Sequence, residues 1–109
     1  MPARVINVAH DFSRYPAGRF ENDGPYSGQA FRDQLLYPLL RSGETVTVEL
    51  DGVRGYGSSF LEEAFGGLVR KGLSPQQVID QLQLQSADGS LVEEITEYIQ
   101  HGGEQGRDA

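Results

Sequence analysis

Val46-Thr47-Val48-Glu49-Leu50-Asp51-Gly52-Val53-Arg54-Gly55-Tyr56-Gly57-Ser58-Ser59-Phe60-Leu61-Glu62-Glu63-Ala64-Phe65 reads as a strand, a glycine-rich turn and the start of a helix. Val46, Val48 and Leu50 alternate with Thr45, Thr47 and Glu49, which puts the apolar side chains on one face of an extended segment. Gly52, Gly55 and Gly57 supply the turn, and positive φ is expected at Gly55 and Gly57. Phe60, Leu61, Ala64, Phe65 and Leu68 then recur at helical spacing behind Ser58 and Ser59, two natural N-caps. Both hydroxyls are therefore expected at a helix N-terminus, where unpaired N–H groups and the macrodipole favour an anion. On the residues alone, a plain helix cap and a seat for a phosphate are both open.

Outward from this stretch the chain alternates strand and helix. Val5-Ile6-Asn7-Val8-Ala9 reads as a first strand, followed by a Gly-, Pro- and Asn-rich loop over 13–26 whose Tyr15, Phe20 and Tyr26 either pin it down or form a contact surface. Arg14 and Arg19 in that loop are expected to pair with Asp23 or Glu21. Ser27 caps a helix with Phe31, Leu35, Leu36, Leu39 and Leu40 inward, which Pro38 should kink or close near Tyr37. Gly66 and Gly67 let another backbone approach the serine helix closely. Ser74-Pro75-Gln76-Gln77 opens a short helix, Leu82–Gln85 alternates like a strand, and Ser90 with Glu93 forms a capping box for a last helix that Gly102 and Gly103 should stop. The order predicts an α/β fold, a small parallel or mixed sheet covered by helices.

The 109 residues show no repeat and form one expected domain over 1–103, with 104–109 as a disordered tail. There is no cysteine, which excludes disulfides, thiolate metal sites and thiol catalysis. Sixteen acidic residues against nine basic give a charge of −7, which argues against a nucleic-acid partner. Glu62, Glu63, Asp80, Asp88, Glu93, Glu94 and Glu97 read as a solvated acidic surface suited to a basic partner. No apolar run approaches the roughly 20 residues that span a bilayer, so no membrane contact and a cytoplasmic location are expected.

Catalytic patterns are thin. His10 and His101 stand apart from carboxylates at metal-ligand spacing, Gly57-Ser58-Ser59-Phe60 lacks the second glycine of a nucleophile elbow, and Gly55-Tyr56-Gly57 lacks the third glycine of a dinucleotide turn. Glu62 and Glu63 are adjacent on a helix and are not expected to face one site, which disfavours paired acid–base catalysis. No metal, no cofactor and no enzymatic activity are expected.

The Asp51-Gly52 to Leu68 stretch, with Gly24-Pro25-Tyr26-Ser27-Gly28-Gln29-Ala30-Phe31-Arg32 upstream, resembles the STAS-like domain family of unknown function, related to the STAS fold of anti-sigma-factor antagonists. The likeness covers roughly residues 4 to 100. In the antagonists the motif reads Asp-Ser-Ser-Gly-Leu and its first serine accepts phosphate. That serine maps onto Ser58, while Gly57 stands for the aspartate and Phe60 for the glycine. The resemblance implies a STAS-like fold and a signalling domain that binds another protein, a histidine-kinase-like ATPase or serine kinase, under control of Ser58 phosphorylation. The contact residues it suggests are Gly55, Tyr56, Gly57, Ser58, Ser59, Phe60 and Glu63, with Arg19 and Arg32. An exposed apolar patch at Tyr56 and Phe60 would suit a protein partner. The alternative is a small-ligand or nucleotide module holding an anion at Ser58-Ser59, reached by Arg14, Arg19 or Arg32.

Overall fold

A computed structural model describes residues 4–107. Three strands, β1 (Arg4–Asn7), β2 (Val46–Glu49) and β3 (Leu82–Gln85), form one sheet in the order β1-β2-β3, and both pairings are parallel. Arg4 stands opposite Val46, and Val46 opposite Leu82. The sheet is thus parallel throughout, and β2 is its middle strand. Val46, Val48 and Leu50 are fully buried as their alternation requires; on the other face Thr47 is buried between its strand neighbours while Val5 and Gln83, in the same row, are exposed.

Between the strands run helices α1 (28–41), α2 (58–70) and α3 (Pro75–Gln81), and α4 (Gly89–Arg107) closes the chain. Ser27 caps α1 by accepting from Ala30 N at 3.1 Å, and Ser74 caps α3 by accepting from Gln77 N at 3.1 Å, with Pro75 in the first turn. The start of α4 differs from expectation. Asp88 Oδ1 accepts from the amides of Ser90 and Leu91 and from the Ser90 hydroxyl, so Asp88 caps the helix and Ser90 lies inside it.

Both α1 and α2 are interrupted by a wider π turn, at Arg32–Leu36 and Glu62–Gly66. Pro38 therefore does not close α1 at Tyr37. It falls in the first turn of the α-helical segment Tyr37–Arg41 that follows the π turn, where a missing N–H is tolerated. The expected first strand is shorter than its apolar run, because Val8–Phe12 winds into a single π turn. Asn7 Oδ1 accepts from His10 N at 3.0 Å and Asp11 from Asn7 N at 2.8 Å, and these side chains bend the backbone away from the sheet.

One core joins the strands to all four helices through Ile6, Val48, Leu82, Phe31, Phe65, Val78 and Ile95, among others. Phe31, Phe60 and Phe65 are buried together at centroid separations of 6.0 and 6.1 Å, a packing that adds about 1 kcal/mol per pair beyond burial. Gly102 does not stop α4. The glycine is buried against Gly66 of α2, where a β-carbon would strike the Gly66 carbonyl, and the helix continues past it to Arg107. The rest of the expected tail, residues 108–109, lies outside the described residues.

Candidate functional site

Where β2 ends, the chain is tied to both neighbouring strands. Leu50 N donates to Gln85 O at 2.9 Å, Asp51 accepts from Ser86 Oγ at 2.9 Å and from Ala87 N at 3.0 Å, and Asn7 Nδ2 donates to Glu49 at 3.2 Å. Ligands of open parallel sheets are met beyond this carboxyl edge, at a reversal of strand order, which the β1-β2-β3 order does not contain. Tyr56 closes the turn by donating its hydroxyl to Leu50 O at 2.8 Å. Burial, and the charge of Asp51, push its phenol well above the ordinary value, so it remains a donor.

Only Gly52 of the turn's three glycines has positive φ (+96°), and a β-carbon there would press on Ala9 at 3.2 Å. Gly57 has φ −76° and open space around it, and Gly55 is likewise open and without positive φ. The expectation that Gly55 and Gly57 need left-handed backbone is thereby corrected. Gly57 is instead the N-cap of α2, contributing no side-chain bond, and Ser58 and Ser59 are the first two helical residues. Both serines are exposed, and neither hydroxyl has a hydrogen-bond partner among the described residues. They are therefore not caps.

Phe60 is 1% exposed and packs on Tyr56, Phe31 and Phe12. No apolar patch is presented at Tyr56 and Phe60: the helical period that carries Ala64 and Leu68 inward carries Phe60 with them. The large apolar side chains that are exposed are Val5 and the loop residues Tyr15, Phe20 and Tyr26.

One turn into α2, Glu62 and Glu63 are both buried, at 6% and 7% exposure. They share partners. Arg19 donates to Glu62 at 2.5 Å and Glu63 at 3.2 Å, Arg70 donates to Glu62 at 2.7 and 2.9 Å and to Glu63 at 3.1 Å, and Arg32 donates to Glu63 at 2.5 Å. Arg70 also donates to the Gly102 carbonyl at 2.9 Å, and Arg32 to Asp33 at 2.8 Å. These two carboxylates thus face one place after all. The π turn in which they lie has more residues per turn than an α-helix, so the angle between adjacent side chains closes. Burial raises the Glu62 carboxyl, but hydrogen bonds from Arg70 and Arg19 outweigh it and hold the group below its ordinary range. Burial likewise opposes the charge on Arg19 and Arg32, and their carboxylate partners outweigh it.

Glu62 and Glu63 are therefore not part of an acidic surface, and Arg19 does not pair its side chain with Asp23 or Glu21. Asp23 instead accepts from the Arg19 backbone amide at 3.1 Å. With both guanidinium groups engaged by carboxylates, Arg19 and Arg32 are not available to an anion at Ser58. Close packing explains the glycines nearby: a β-carbon at Gly67 would overlap the Arg32 guanidinium, and one at Gly28 the Phe60 carbonyl. Arg70, the bidentate partner of Glu62, gives no local signal in the sequence, because it lies eight residues further along the helix, beyond the spacing of three or four at which helical neighbours pair.

This parallel α/β sheet with its turn and serine-led helix is matched, over residues 27–91, by the family described as STAS-like domain of unknown function (DUF4325). The match runs from the cap of α1 to the first turn of α4, more than half of the chain, and the chain belongs to that family. It is narrower than the 4–100 resemblance and omits β1 and the 13–26 loop that carries Arg19. Neither a search of curated proteins nor a search of solved structures gives a match. Among the described residues no helix is long and apolar enough to cross a membrane.

Proposed function

We propose that this STAS-like domain is a non-enzymatic signalling module that docks another protein at the turn and first helical residues, Gly55 to Ser59, with Ser58 as its phosphoacceptor. The observation that carries this reading is the state of Ser58. Its hydroxyl is exposed and unbonded at the head of a helix whose next turn is locked by buried ion pairs. A phosphate there brings close to two negative charges to the positive end of α2 without disturbing a cap, so the surface changes and the fold does not. With Tyr56 bonded to Leu50 and Phe60 buried, the partner meets a polar surface made of backbone and hydroxyls. The likeness to anti-sigma-factor antagonists favours an ATP-binding serine kinase of the histidine-kinase-like ATPase type as that partner.

The test is phosphosite mapping of the protein taken from its own cells, together with binding of such a kinase to wild type, Ser58→Ala and Ser58→Asp. Phosphate on Ser58, binding retained by the alanine variant and weakened by the aspartate variant are expected. Equal binding by all three forms with no phosphate on Ser58 would defeat the reading.

A further inference from the structure

We propose that the hollow at the carboxyl ends of β1 and β2 binds a small phosphomonoester, gripped by Arg14 and Arg54. The hollow holds about 470 Å³ and is lined by Asn7, His10, Arg14, Tyr15, Asp51 and Arg54, among others, a size within the usual range of small-ligand sites. Two contacts build it. Arg54 N donates to Arg14 O at 2.9 Å, which fastens the 13–26 loop to the β2–α2 turn, and Gly52 rests against Ala9, which brings that turn up to the end of β1.

Arg4, Arg19, Arg32, Arg70 and Lys71 each have a carboxylate partner within 4 Å, whereas the exposed Arg14, Arg41 and Arg54 have none among the described residues, and Arg14 and Arg54 line this same hollow, in a chain of net charge −7. The acidic and amide groups beside them are already engaged. Asp51 accepts from Ser86 and Ala87 on the β3 side, the Asn7 amide bonds Glu49 and the His10 backbone, and His10 Nδ1 lies 3.2 Å from Asp11. Two arginines on adjacent segments match the several oxygens of a phosphate dianion better than a single carboxylate. Tyr15, 65% exposed in the same wall, offers a ring face to the organic part of the ester. This site is independent of Ser58 and stands or falls separately from the signalling reading.

Amide chemical shifts of the full chain, followed at constant ionic strength with phenyl phosphate, inorganic phosphate and chloride, decide the matter. Phenyl phosphate is expected to give saturable shifts at Asn7, His10, Gly52 and Arg54, tighter than inorganic phosphate, with chloride giving none. Arg14→Gln and Arg54→Gln should each weaken binding about tenfold while melting as wild type does, since both side chains are exposed. Equal shifts with chloride, or affinity unchanged in the double variant, would overturn the proposal. Tighter binding of a phosphoserine peptide than of phenyl phosphate would overturn it in favour of a peptide ligand.

Discussion

The first residues of α2 and the turn that follows them obey opposite rules although less than two helical turns separate them. Among the described residues the hydroxyls of Ser58 and Ser59 have no hydrogen-bond partner, whereas Glu62 and Glu63 are buried and together bind three arginines drawn from the 13–26 loop, α1 and α2 itself. One segment is free to carry a variable charge, and the other holds fixed charges that fasten the loop and two helices together. The contrast teaches that charge in this domain is sorted by depth: what is buried is neutralised in place, and what is exposed at the strand ends is left available.

The largest effect expected from breaking this contrast is at Glu63. Glu63→Ala removes the buried carboxylate that Arg32 shares with Arg19 and Arg70, leaving Arg32 only Asp33, and should cost about 3 kcal/mol in chemical denaturation, because three guanidinium groups lose a partner while Arg32 stays desolvated. Arg19→Ala, whose side chain is one-third exposed, should cost about 1 kcal/mol or less and show itself mainly as faster proteolysis within 13–26. Equal losses for the two would mean that depth does not sort the charges.

Next in size is helix contact. Gly102→Ala forces a methyl group into the Gly66 carbonyl and should lower stability by about 1–3 kcal/mol, while Gly55→Ala, with open space and no positive φ, should stay within about 0.5 kcal/mol in the same melts.

A pH titration sharpens the buried side further. Since Glu62 titrates lower in the folded chain than in the unfolded one, its contribution is present above the ordinary glutamate value of 4.5 and is lost as pH falls from there through the folded value. Glu62→Gln should flatten that acid limb of the stability curve. An unchanged limb would place the acid sensitivity elsewhere. The smallest effect belongs to Ser58. Ser58→Ala should shift stability by less than about 0.5 kcal/mol, because Gly57 and not Ser58 occupies the cap position. A loss near 1 kcal/mol would restore Ser58 as the capping residue.

Much of the scaffold was legible because its signals are local. The alternation of Val46, Val48 and Leu50, the caps at Ser27 and Ser74, and the helical spacing from Phe60 to Leu68 all act within a few residues of where they are written. The charged underside was not legible for the opposite reason. Arg19 and Arg32 lie 43 and 31 residues before the glutamates they bind, and the rule that adjacent helical side chains diverge fails inside a π turn. Tyr56 and Phe60 are contact residues on the resemblance alone, yet one is held by its hydroxyl and the other belongs to the inward stripe that the helical spacing already gives. The strongest sequence hint of tight internal packing was the Gly66-Gly67 pair, which accommodates Gly102 on one side and Arg32 on the other.

The sheet's topology also governs how the chain reaches this structure. Arg4 finds Val46 only across α1, and Val46 finds Leu82 only across α2 and α3, so no rung of the ladder comes from a hairpin. Each pairing must close a long loop before any ladder bond rewards it, and collapse therefore runs more slowly than in a helical bundle of this length. During synthesis the middle strand exists before its second neighbour: until Leu82–Gln85 has left the ribosome, one side of β2 carries unpaired N–H and C=O groups. The nascent chain thus passes through a stage with an open edge on the strand that ends most buried, an edge open to wrong pairing until the chain lengthens.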